Sequence, residues 1–389
     1  MHFQQTTNLR SAFEFIKTAT KKIFHIFAFV VLKKGLFILL VSILQGSGIC
    51  RAQFDFRIPY PKPVNEWQDT VVLSIIGDVM MHEKQLSHDH TTFLEGISDA
   101  ISKADFSIAN MEFPLGGKPY TGYPAFSTPE WYPEYIKKCG IDVFLLANNH
   151  LLDRGTKGLE KTLTYYSEMD SISFTGAAAD SISFNRNNPL ILKRKGLKIA
   201  LVNFTYGSNI GPEREWPALL RSRQNDIHKA FERAKEQKAD FIIALPHWGI
   251  EYELRHSERQ REWAEWLIDE GADAVIGSHP HVVQDTTHIK GVPVVYSIGN
   301  AISNMSAKNT RLELEVRISF TRNFITGKTG MLEPELRFMW CTLPGTLTPS
   351  YKTIFVDEWM DRRDEWIAPG DFDNMTSTLQ RVKAATGIE

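Results

Sequence analysis

Short apolar runs alternate with amphipathic stretches along most of the chain, and this alternation is the feature that most restricts the fold. The runs are of strand length, rich in β-branched and aromatic residues, and each ends near a polar or glycine-containing loop. They are Val71–Ile76, Phe106–Ala109, Val143–Ala147, Lys198–Phe204, Phe241–Leu245, Ala274–Ile276 and Val292–Ser297. Helical patterns lie between them, notably over Thr156–Met169, Ser222–Gln237 and Ser257–Glu270. Strands that feed helices in this way predict an α/β body.

The start of the chain differs from the rest in hydropathy and charge. Two apolar blocks, Ile23–Leu32 and Gly35–Leu44, are separated by Lys33-Lys34 and preceded by Lys21-Lys22. Neither block has the roughly 20 apolar residues of a spanning helix, whereas the second fits a signal-peptide core with a cleavage site at Cys50-Arg51-Ala52. We therefore expect export. The alternative is an uncleaved anchor that joins both blocks, at the cost of charged residues in mid-span. Either way, the body is expected on the outer side of the cytoplasmic membrane.

Composition narrows the classes of partner and of metal site. Residues 53–389 carry 37 Lys/Arg and 45 Asp/Glu, a net charge of −8. Long nucleic acids are therefore not expected as partners, because binding them normally needs a cationic surface. Three cysteines, Cys50, Cys139 and Cys341, exclude a disulfide-stapled miniprotein and a Cys-rich zinc module, while a Cys139–Cys341 bridge is permitted but not required. Metal ligands must come from His, Asp, Glu and Asn.

The ends of the predicted strands concentrate polar side chains. In open α/β sheets, ligands bind beyond the carboxyl ends of the strands. These ends carry Gly77-Asp78, Asn110-Met111-Glu112, Asn148-Asn149-His150 with Asp153, His247 to Glu251, Ser278-His279-Pro280-His281 and Gly299-Asn300. The sequence predicts that these groups meet at one edge of the body.

Each of these residues also has a purely structural explanation when taken alone. Asp78 is explained by a cap, Glu112 by a surface salt bridge, the Asn-Asn-His run by a turn, and His247 by ordinary packing. His279 and His281 are stronger evidence, because residues two apart in an extended segment point to the same side and both imidazoles then reach one metal. The combination favours a metal site over a structural origin.

The ligand types restrict the ion. Carboxylate, imidazole and amide ligands without a thiolate suit Mn, Fe, Zn or Mg. The candidates outnumber the ligands of one tetrahedral zinc and favour two ions about 3.5 to 4 Å apart. Such a pair polarises a phosphoryl or carbonyl oxygen and lowers the pKa of a bridging water, which is hydrolase chemistry.

Motifs around these residues extend the comparison beyond single positions. They are GDVMMH (77–82), ANMEFPL (109–115), LLANNHLLDRG (145–155), LPHWGIEY (245–252), GSHPHVVQ (277–284) and YSIGN (296–300). In this order they resemble the CapA family of bacterial poly-γ-glutamate capsule biosynthesis proteins, whose domain is related to calcineurin-like metallophosphatases. The resemblance implies a four-layer α/β/β/α sandwich with mixed sheets.

The resemblance also implies roles for individual residues. Its metal ligands match Asp78, Glu112, Asn149, His247, His279 and His281. Asn149, His247 and His279 would surround a second ion, and His281 would return to the first. His150 is implied as a proton donor or phosphate-contacting residue that binds no metal. We expect Glu251 to orient His247 or to bind substrate.

Two positions depart from the metallophosphatase pattern. The usual Asp-x-His of the first strand is Asp78-Val79-Met80, and the usual Gly-Asp bridging carboxylate is absent, which leaves Glu112 as its substitute. One ion is therefore expected to bind weakly. His82 supplies the missing imidazole if its loop curls back, and a surface or supporting role is the alternative. Asp153 is expected to cap the following helix.

Three functions remain open at this point. The first is an exported metal-dependent hydrolase or transferase that acts on a phosphoester or on an amide-linked anionic polymer, poly-γ-glutamate in the type members. The second is a non-catalytic, membrane-associated assembly or export subunit of a capsule machinery. The third is a nucleotidase or general phosphoesterase. The chain has no Walker-type loop ending in Lys-Ser/Thr, so synthesis and transport are expected from capsule synthase and export membrane partners.

These features together divide the chain into five predicted segments. Residues 1–52 are a signal peptide or signal anchor, and 53–69 a Pro-containing linker. Residues 70–306 form the CapA metallophosphatase-like domain. Residues 307–354 form a β extension that completes the sandwich, since Leu312–Thr321 and Glu335–Thr342 alternate like antiparallel strands. Residues 355–389 are a C-terminal tail with a helix.

Overall fold

The computed structural model describes residues 68–212 and 215–389. The predicted leader and all but the last two residues of the predicted linker lie outside the described residues. In the part of the chain that is described, no helix combines the length and the apolar character needed to cross a bilayer.

The described residues contain the following elements. The strands are Gln68–Val79 (β1), Phe106–Met111 (β2), Val143–Leu145 (β3), Ser173–Thr175 (β4), Ala177–Ala178 (β5), Leu190–Arg194 (β6), Leu197–Thr205 (β7), Ala218–Leu219 (β8), Phe241–His247 (β9), Ala274–Ile276 (β10), Thr286–Ile289 (β11), Val292–Val295 (β12), Asn300–Ile302 (β13), Leu312–Asn323 (β14), Thr329–Met331 (β15), Glu335–Thr342 (β16) and Lys352–Phe355 (β17). The α-helices are Glu95–Ile101 (α1), Trp131–Lys138 (α2), Gly155–Glu168 (α3), Ser181–Asn187 (α4), Gln224–Glu236 (α5), Glu258–Glu270 (α6) and Pro369–Thr386 (α7).

Two mixed sheets form the body. The larger sheet has the order β17–β16–β14–β1–β2–β3–β4, with β13 also beside β1 and β15 beside β14. Its strands β1 to β4 are parallel, and β14, β16 and β17 extend it in antiparallel fashion. The smaller sheet has the order β11–β12–β10–β9–β7–β6, parallel in the middle and antiparallel at both edges.

Side-chain alternation along the strands produces the layers. Successive residues of a strand point to opposite faces. In β1, Ile75 belongs to the core between the two sheets, whereas Ile76 belongs to the core under α1, α2 and α3. In β9, Ile243 faces the same inter-sheet core, whereas Ala244 faces α5 and α6. The body is therefore a four-layer α/β/β/α sandwich, which confirms the predicted fold class.

Helix α6 shows how local sequence sets the ends of an element. Ser257 precedes it, and its hydroxyl accepts a hydrogen bond from the Gln260 N–H while the Gln260 amide oxygen accepts one from the Ser257 N–H. Gly271 ends the helix in the left-handed region, at φ 108°, where glycine carries no steric penalty. Between these caps, Ala264 and Leu267 are buried against the smaller sheet.

The C-terminal helix α7 packs back onto the sandwich. Phe372, Met375 and Val382 enter the core between the sheets. At its first turn, Asp371 accepts two hydrogen bonds from the guanidinium of Arg311 at 2.6 Å, and both side chains are buried or nearly so. The tail is thus joined to the body by apolar contacts and by a bidentate ion pair.

The predicted elements recur with small differences at their ends. β3 stops two residues early, at Leu145. The Leu146 N–H still donates to the Thr175 carbonyl of β4 and shares its hydrogen with the side-chain oxygen of Asn203, whereas the Ala147 N–H donates to that Asn203 oxygen. Cys139 and Cys341 are both free and buried in the core beneath the helices of the larger sheet. No bridge joins these two cysteines.

Candidate metal centre

Strand ends from both sheets meet at one edge of the sandwich. Asp78 lies near the end of β1 and Glu112 directly after β2, both in the larger sheet. His247 ends β9, and His279 and His281 lie in the loop after β10, both in the smaller sheet. All five side chains are buried. The convergence expected from the sequence is therefore present.

Glycine allows the strands to approach closely beneath this edge. Gly77 lies against Gly299, and a Cβ atom at Gly77 would clash with the Gly299 carbonyl oxygen. The Asp78 N–H donates to that same oxygen at 3.2 Å, which holds β1 against the start of β13. The Gly-Asp and Gly-Asn motifs are thus two halves of one close backbone contact.

A first group of ligand atoms contains Asp78, Glu112 and His281. One potential ligand atom from each lies within 4.8 Å of the others. The His281 Nδ1 is 3.5 Å from an Asp78 carboxylate oxygen and 2.9 Å from the side-chain oxygen of Asn300. The Asn300 amide nitrogen donates to the Thr310 carbonyl, so its oxygen faces the histidine and orients the ring.

A second group contains Glu112, His247 and His279 within the same distance limit. The His247 Nε2 is 3.6 Å from Glu112 and 2.7 Å from the side-chain oxygen of Asn149. Glu112 therefore belongs to both groups, and it stands between them as a bridging carboxylate would.

Glu251 forms a third group with His279 and His281, although its side chain is exposed. It does not orient His247, whose Nδ1 lies 3.0 Å from the Ser278 hydroxyl and whose Nε2 contacts Asn149. The orienting role predicted for Glu251 is not found, and its position at the solvent side of the cluster leaves the substrate-binding alternative.

The loop that carries His279 and His281 is not extended. Both residues have positive φ, 99° and 57°, which is uncommon for residues other than glycine and places strain at this loop. Their rings still reach the same region, with centroids 5.9 Å apart. The predicted convergence of the two rings is present, but the alternation argument behind it was wrong because bends, not a strand, bring the rings together.

His150 is held by Asp153 at the edge of the cluster. The His150 Nδ1 lies 2.7 Å from the Asp153 Oδ2, and the same oxygen accepts the Phe126 N–H at 2.9 Å. Helix α3 begins at Gly155 with Arg154 at the N-cap and no side-chain cap. The prediction that Asp153 caps this helix was therefore wrong, because its carboxylate is occupied by His150 and by the Phe126 backbone.

His82 lies near the cluster but outside the carboxylate and imidazole groups found among the described residues. Its Nδ1 accepts the Asn304 N–H at 3.2 Å and lies 3.3 Å from the Gln85 side-chain oxygen. Burial lowers the pKa of His82 to about 4. The structure supports the alternative role that the sequence left open, in which His82 fastens neighbouring loops.

Three asparagines outside the predicted ligand set position the cluster. Asn110 donates to Asp78 at 2.7 Å. Asn203 accepts the Leu146 and Ala147 N–H groups and donates to the Leu245 carbonyl, so one amide joins the two sheets. Asn209 contacts His150 through its amide nitrogen. The position of Asn110 at the same strand end as Glu112 allowed its place near the cluster to be predicted. Asn203 and Asn209 belong to none of the strand-end groups, so the sequence did not indicate their roles.

The electrostatics of the cluster fit divalent cations. Both carboxylate oxygens of Glu112 and the Nδ1 of His279 are buried without a hydrogen-bond partner. Burial, together with the negative charge of Asp78, raises the pKa of Glu112 well above its usual value. Burial lowers the pKa of His247 to about 3 and that of His279 well below its usual value, so both rings are neutral, the form that binds metals.

Asp78 behaves differently from Glu112. Burial alone would raise its pKa, but the hydrogen bond with His281 and the nearby imidazoles outweigh burial and lower the pKa to about 2. The cluster thus combines an ionised carboxylate, an unpartnered carboxyl, two neutral imidazoles (His247 and His279) and the imidazole of His281. Burial opposes a rise in the pKa of His281, but the hydrogen bond with Asp78 raises it. This donor set is compatible with metal binding.

Comparisons with known proteins identify the family of this chain. Residues 72–305 match the family described as "Bacterial capsule synthesis protein PGA_cap". The chain is 28% identical over 258 residues to "Capsule biosynthesis protein CapA" of Bacillus anthracis, covering 62% of each protein. It is 27% identical over 273 residues to "PGA biosynthesis protein CapA" of Bacillus subtilis, covering 68% of this chain and 71% of the relative. The chain thus spans less than two thirds of the first of these relatives.

Among solved structures, a phosphatase from Mycoplasma pneumoniae resembles this chain with a TM-score of 0.40 at 13% identity, over 70% of this chain and 94% of the other. A similarity this distant carries no functional argument. The match over residues 72–305 spans more than half of the chain. The chain belongs to the bacterial capsule synthesis family PGA_cap.

Proposed function

We propose that this protein is a metal-dependent hydrolase that acts outside the cytoplasmic membrane in the biosynthesis of an anionic, poly-γ-glutamate-like capsule polymer. One observation carries the hydrolase part: Glu112 is buried, lacks a hydrogen-bond partner and belongs to two groups of potential ligands. Two ions of Mn, Fe, Zn or Mg type suit such a site. The polymer class is inferred from the printed names of the two Bacillus relatives.

The residues of this chain would divide the work as follows. Asp78, Glu112 and His281 would hold one ion, and Glu112, Asn149, His247 and His279 the other. Bound divalent cations would polarise the scissile phosphoryl or carbonyl group and lower the pKa of a water molecule. The strained His279–His281 loop holds its two rings in place before substrate arrives, which limits reorganisation during the reaction.

His150 is the proposed proton donor. Asp153 would accept a hydrogen bond from the His150 Nδ1–H, and its negative charge would stabilise the doubly protonated ring, whose Nε2–H would then give its proton to the departing group. Phe126 packs edge-on against the imidazole at a centroid distance of 4.8 Å and restricts its rotation. Glu251, at the solvent side, is the proposed contact for a bound substrate.

The proposed location rests on the sequence before residue 53. Its two apolar blocks and lysine pairs favour export or anchoring with the body on the outer side. Capsule synthase and export membrane proteins are the proposed partners. Protease added to intact cells after removal of the outer layers should degrade the body, whereas protection of the body would contradict an external location.

Metal analysis followed by activity assays tests the hydrolase. The purified protein should retain Mn, Fe, Zn or Mg after dialysis and should hydrolyse an aryl phosphate or poly-γ-glutamate in the presence of Mn²⁺. His279→Ala should lose metal and turnover together. His288→Ala is the matched control, because His288 is an exposed histidine paired with Glu333 outside the cluster. Polymer binding without turnover under any metal would contradict the hydrolase and favour the assembly subunit.

A further inference from the structure

An aromatic cavity lies beside the metal-binding cluster. It has a volume of about 310 Å³. Its walls include four aromatic side chains, Phe204, Tyr206, Trp248 and Trp263. Tyr206 also contacts the cluster, since its ring lies 4.7 Å from that of His279, centroid to centroid. The cavity and the proposed reaction centre therefore share a wall.

The walls are held in place by contacts of their own. The Trp248 indole N–H donates to the Tyr296 carbonyl at 2.9 Å. Gln260 also lies in the wall. Its amide nitrogen donates to the side-chain oxygen of Gln284, and its amide oxygen accepts a hydrogen bond from the Ser257 N–H. Phe204 and Trp263 pack against each other at 5.8 Å. A cavity with such walls is preformed and needs little ordering when a ligand enters.

The chemistry of the walls selects the ligand. Among the lining residues Arg259 is the one that carries a charge, and it is exposed. The polar atoms of Trp248 and Gln260 are already paired, which leaves the hydroxyl groups of Tyr206 and Ser222 as the neutral polar groups of the wall. A carboxylate would find its charged partner, Arg259, at the exposed rim, and it would lose hydration without a cation deeper in the cavity. A flat apolar ring would instead gain both buried area and ring-to-ring contacts.

We infer that this cavity binds an uncharged aromatic ring joined to the group that reacts at the metal cluster, with Tyr206 at the boundary between the two. The reaction at the metal cluster rests on the proposed hydrolase function, whereas binding of the ring in the cavity does not. Such binding predicts a preference for ring-bearing substrates over aliphatic ones of equal size.

Binding of uncharged probes tests the cavity without the reaction. Naphthalenemethanol and decanol have nearly the same number of carbon atoms, and neither needs a metal to bind. With chelator present, calorimetric titration of the full chain should show naphthalenemethanol binding about ten times more tightly than decanol. Tyr206→Ala should remove this preference. Ser222→Leu narrows the cavity at another wall and should weaken the binding of naphthalenemethanol more than that of decanol. Circular dichroism confirms that both variants fold.

Phe324→Ala is the matched control. Phe324 is 47% exposed against 48% for Tyr206, and it lies in the turn between β14 and β15, away from the cavity. This variant should keep the preference. Equal binding of the two probes by the natural protein, or a preference unchanged in Tyr206→Ala and Ser222→Leu, would overturn the inference.

Turnover separates this inference from the proposed function. With Mn²⁺, kcat/KM for naphthylmethyl phosphate should exceed that for decyl phosphate by about tenfold, since both are esters of primary alcohols and differ in the ring, and Tyr206→Ala should bring the ratio towards one. Ring binding without any hydrolysis would contradict the hydrolase and leave the cavity inference supported. Hydrolysis with a ratio that Tyr206→Ala does not change would support the hydrolase and overturn the cavity inference.

Discussion

At the scale of single residues, Asp153 determines the state of a neighbouring imidazole. An Asp153→Asn variant retains the shape of the side chain but removes the negative charge beside the His150 Nδ1, so the doubly protonated ring that a proton donor needs would lose its partner. We expect kcat to fall by about 10- to 100-fold with metal content unchanged. Measurement of kcat against pH, with metal analysis, checks this, and the exposed Asp170→Asn serves as the control. An unchanged kcat would contradict the role of Asp153.

Glu313 is a second buried carboxyl, and both of its oxygens lack a hydrogen-bond partner. Burial raises its pKa well above the usual value, although the charge of Arg311 opposes the shift. The folded state therefore keeps a proton that the unfolded chain loses above about pH 4.3, so stability from this group is present at lower pH and is lost as pH rises towards the folded pKa.

Replacement of Glu313 by Gln should remove this pH dependence. Relative to the natural protein, Glu313→Gln should gain in the free energy of unfolding as pH rises above about 4.3, by at most about 1.4 kcal/mol per pH unit, until the folded pKa of Glu313 is passed. Urea unfolding with chelator present measures the difference. Glu335→Gln, at an exposed position of β16, is the control. Parallel stability profiles of Glu313→Gln and the natural protein would show that Glu313 is ionised in the folded state.

At the scale of elements, helix α7 depends on a buried ion pair for its attachment. Asp371→Ala would leave the Arg311 guanidinium buried and unpaired, so we expect a loss of about 3 to 5 kcal/mol in the free energy of unfolding. Asp373→Ala removes a similar pair with Arg363 on the exposed side of the same helix and should have little effect. Chemical denaturation of both variants measures the contrast, and equal losses would contradict it.

At the scale of the whole molecule, the metal cluster joins the two sheets. Asp78 and Glu112 come from the larger sheet and His247 from the smaller one, so a bound cation would link them in the folded state only. Mn²⁺ at about 100 times its Kd should stabilise the protein by about 2.7 kcal/mol, and chelator should reverse this. The shift in Tm should shrink in His247→Ala and persist in His288→Ala. A Tm that changes with neither Mn²⁺ nor chelator would contradict the link that a bound cation forms between the two sheets.

Local sequence patterns predicted the elements and an α/β body, and the family resemblance added the four-layer arrangement. The runs that became β1, β7 and β9 are almost continuously apolar, and a strand that is apolar on both faces requires a covering layer on each side. Caps such as Ser257 and Gly271 mark a helix end within a few residues. The polar groups at strand ends also follow from sequence, because parallel strands present their carboxyl ends to one edge.

The tertiary structure decided the rest. Asn203 joins the sheets through hydrogen bonds with three backbone groups. Asp153 contacts His150 and does not cap a helix. His279 and His281 converge through a strained loop. Tyr206 connects the cluster to the aromatic cavity in the same manner. Local sequence patterns do not reveal these contacts, because each depends on how the loops bend and the layers pack in the folded protein. The chain order thus specifies which groups reach the edge of the sandwich, and the packing of the two sheets specifies which of them touch.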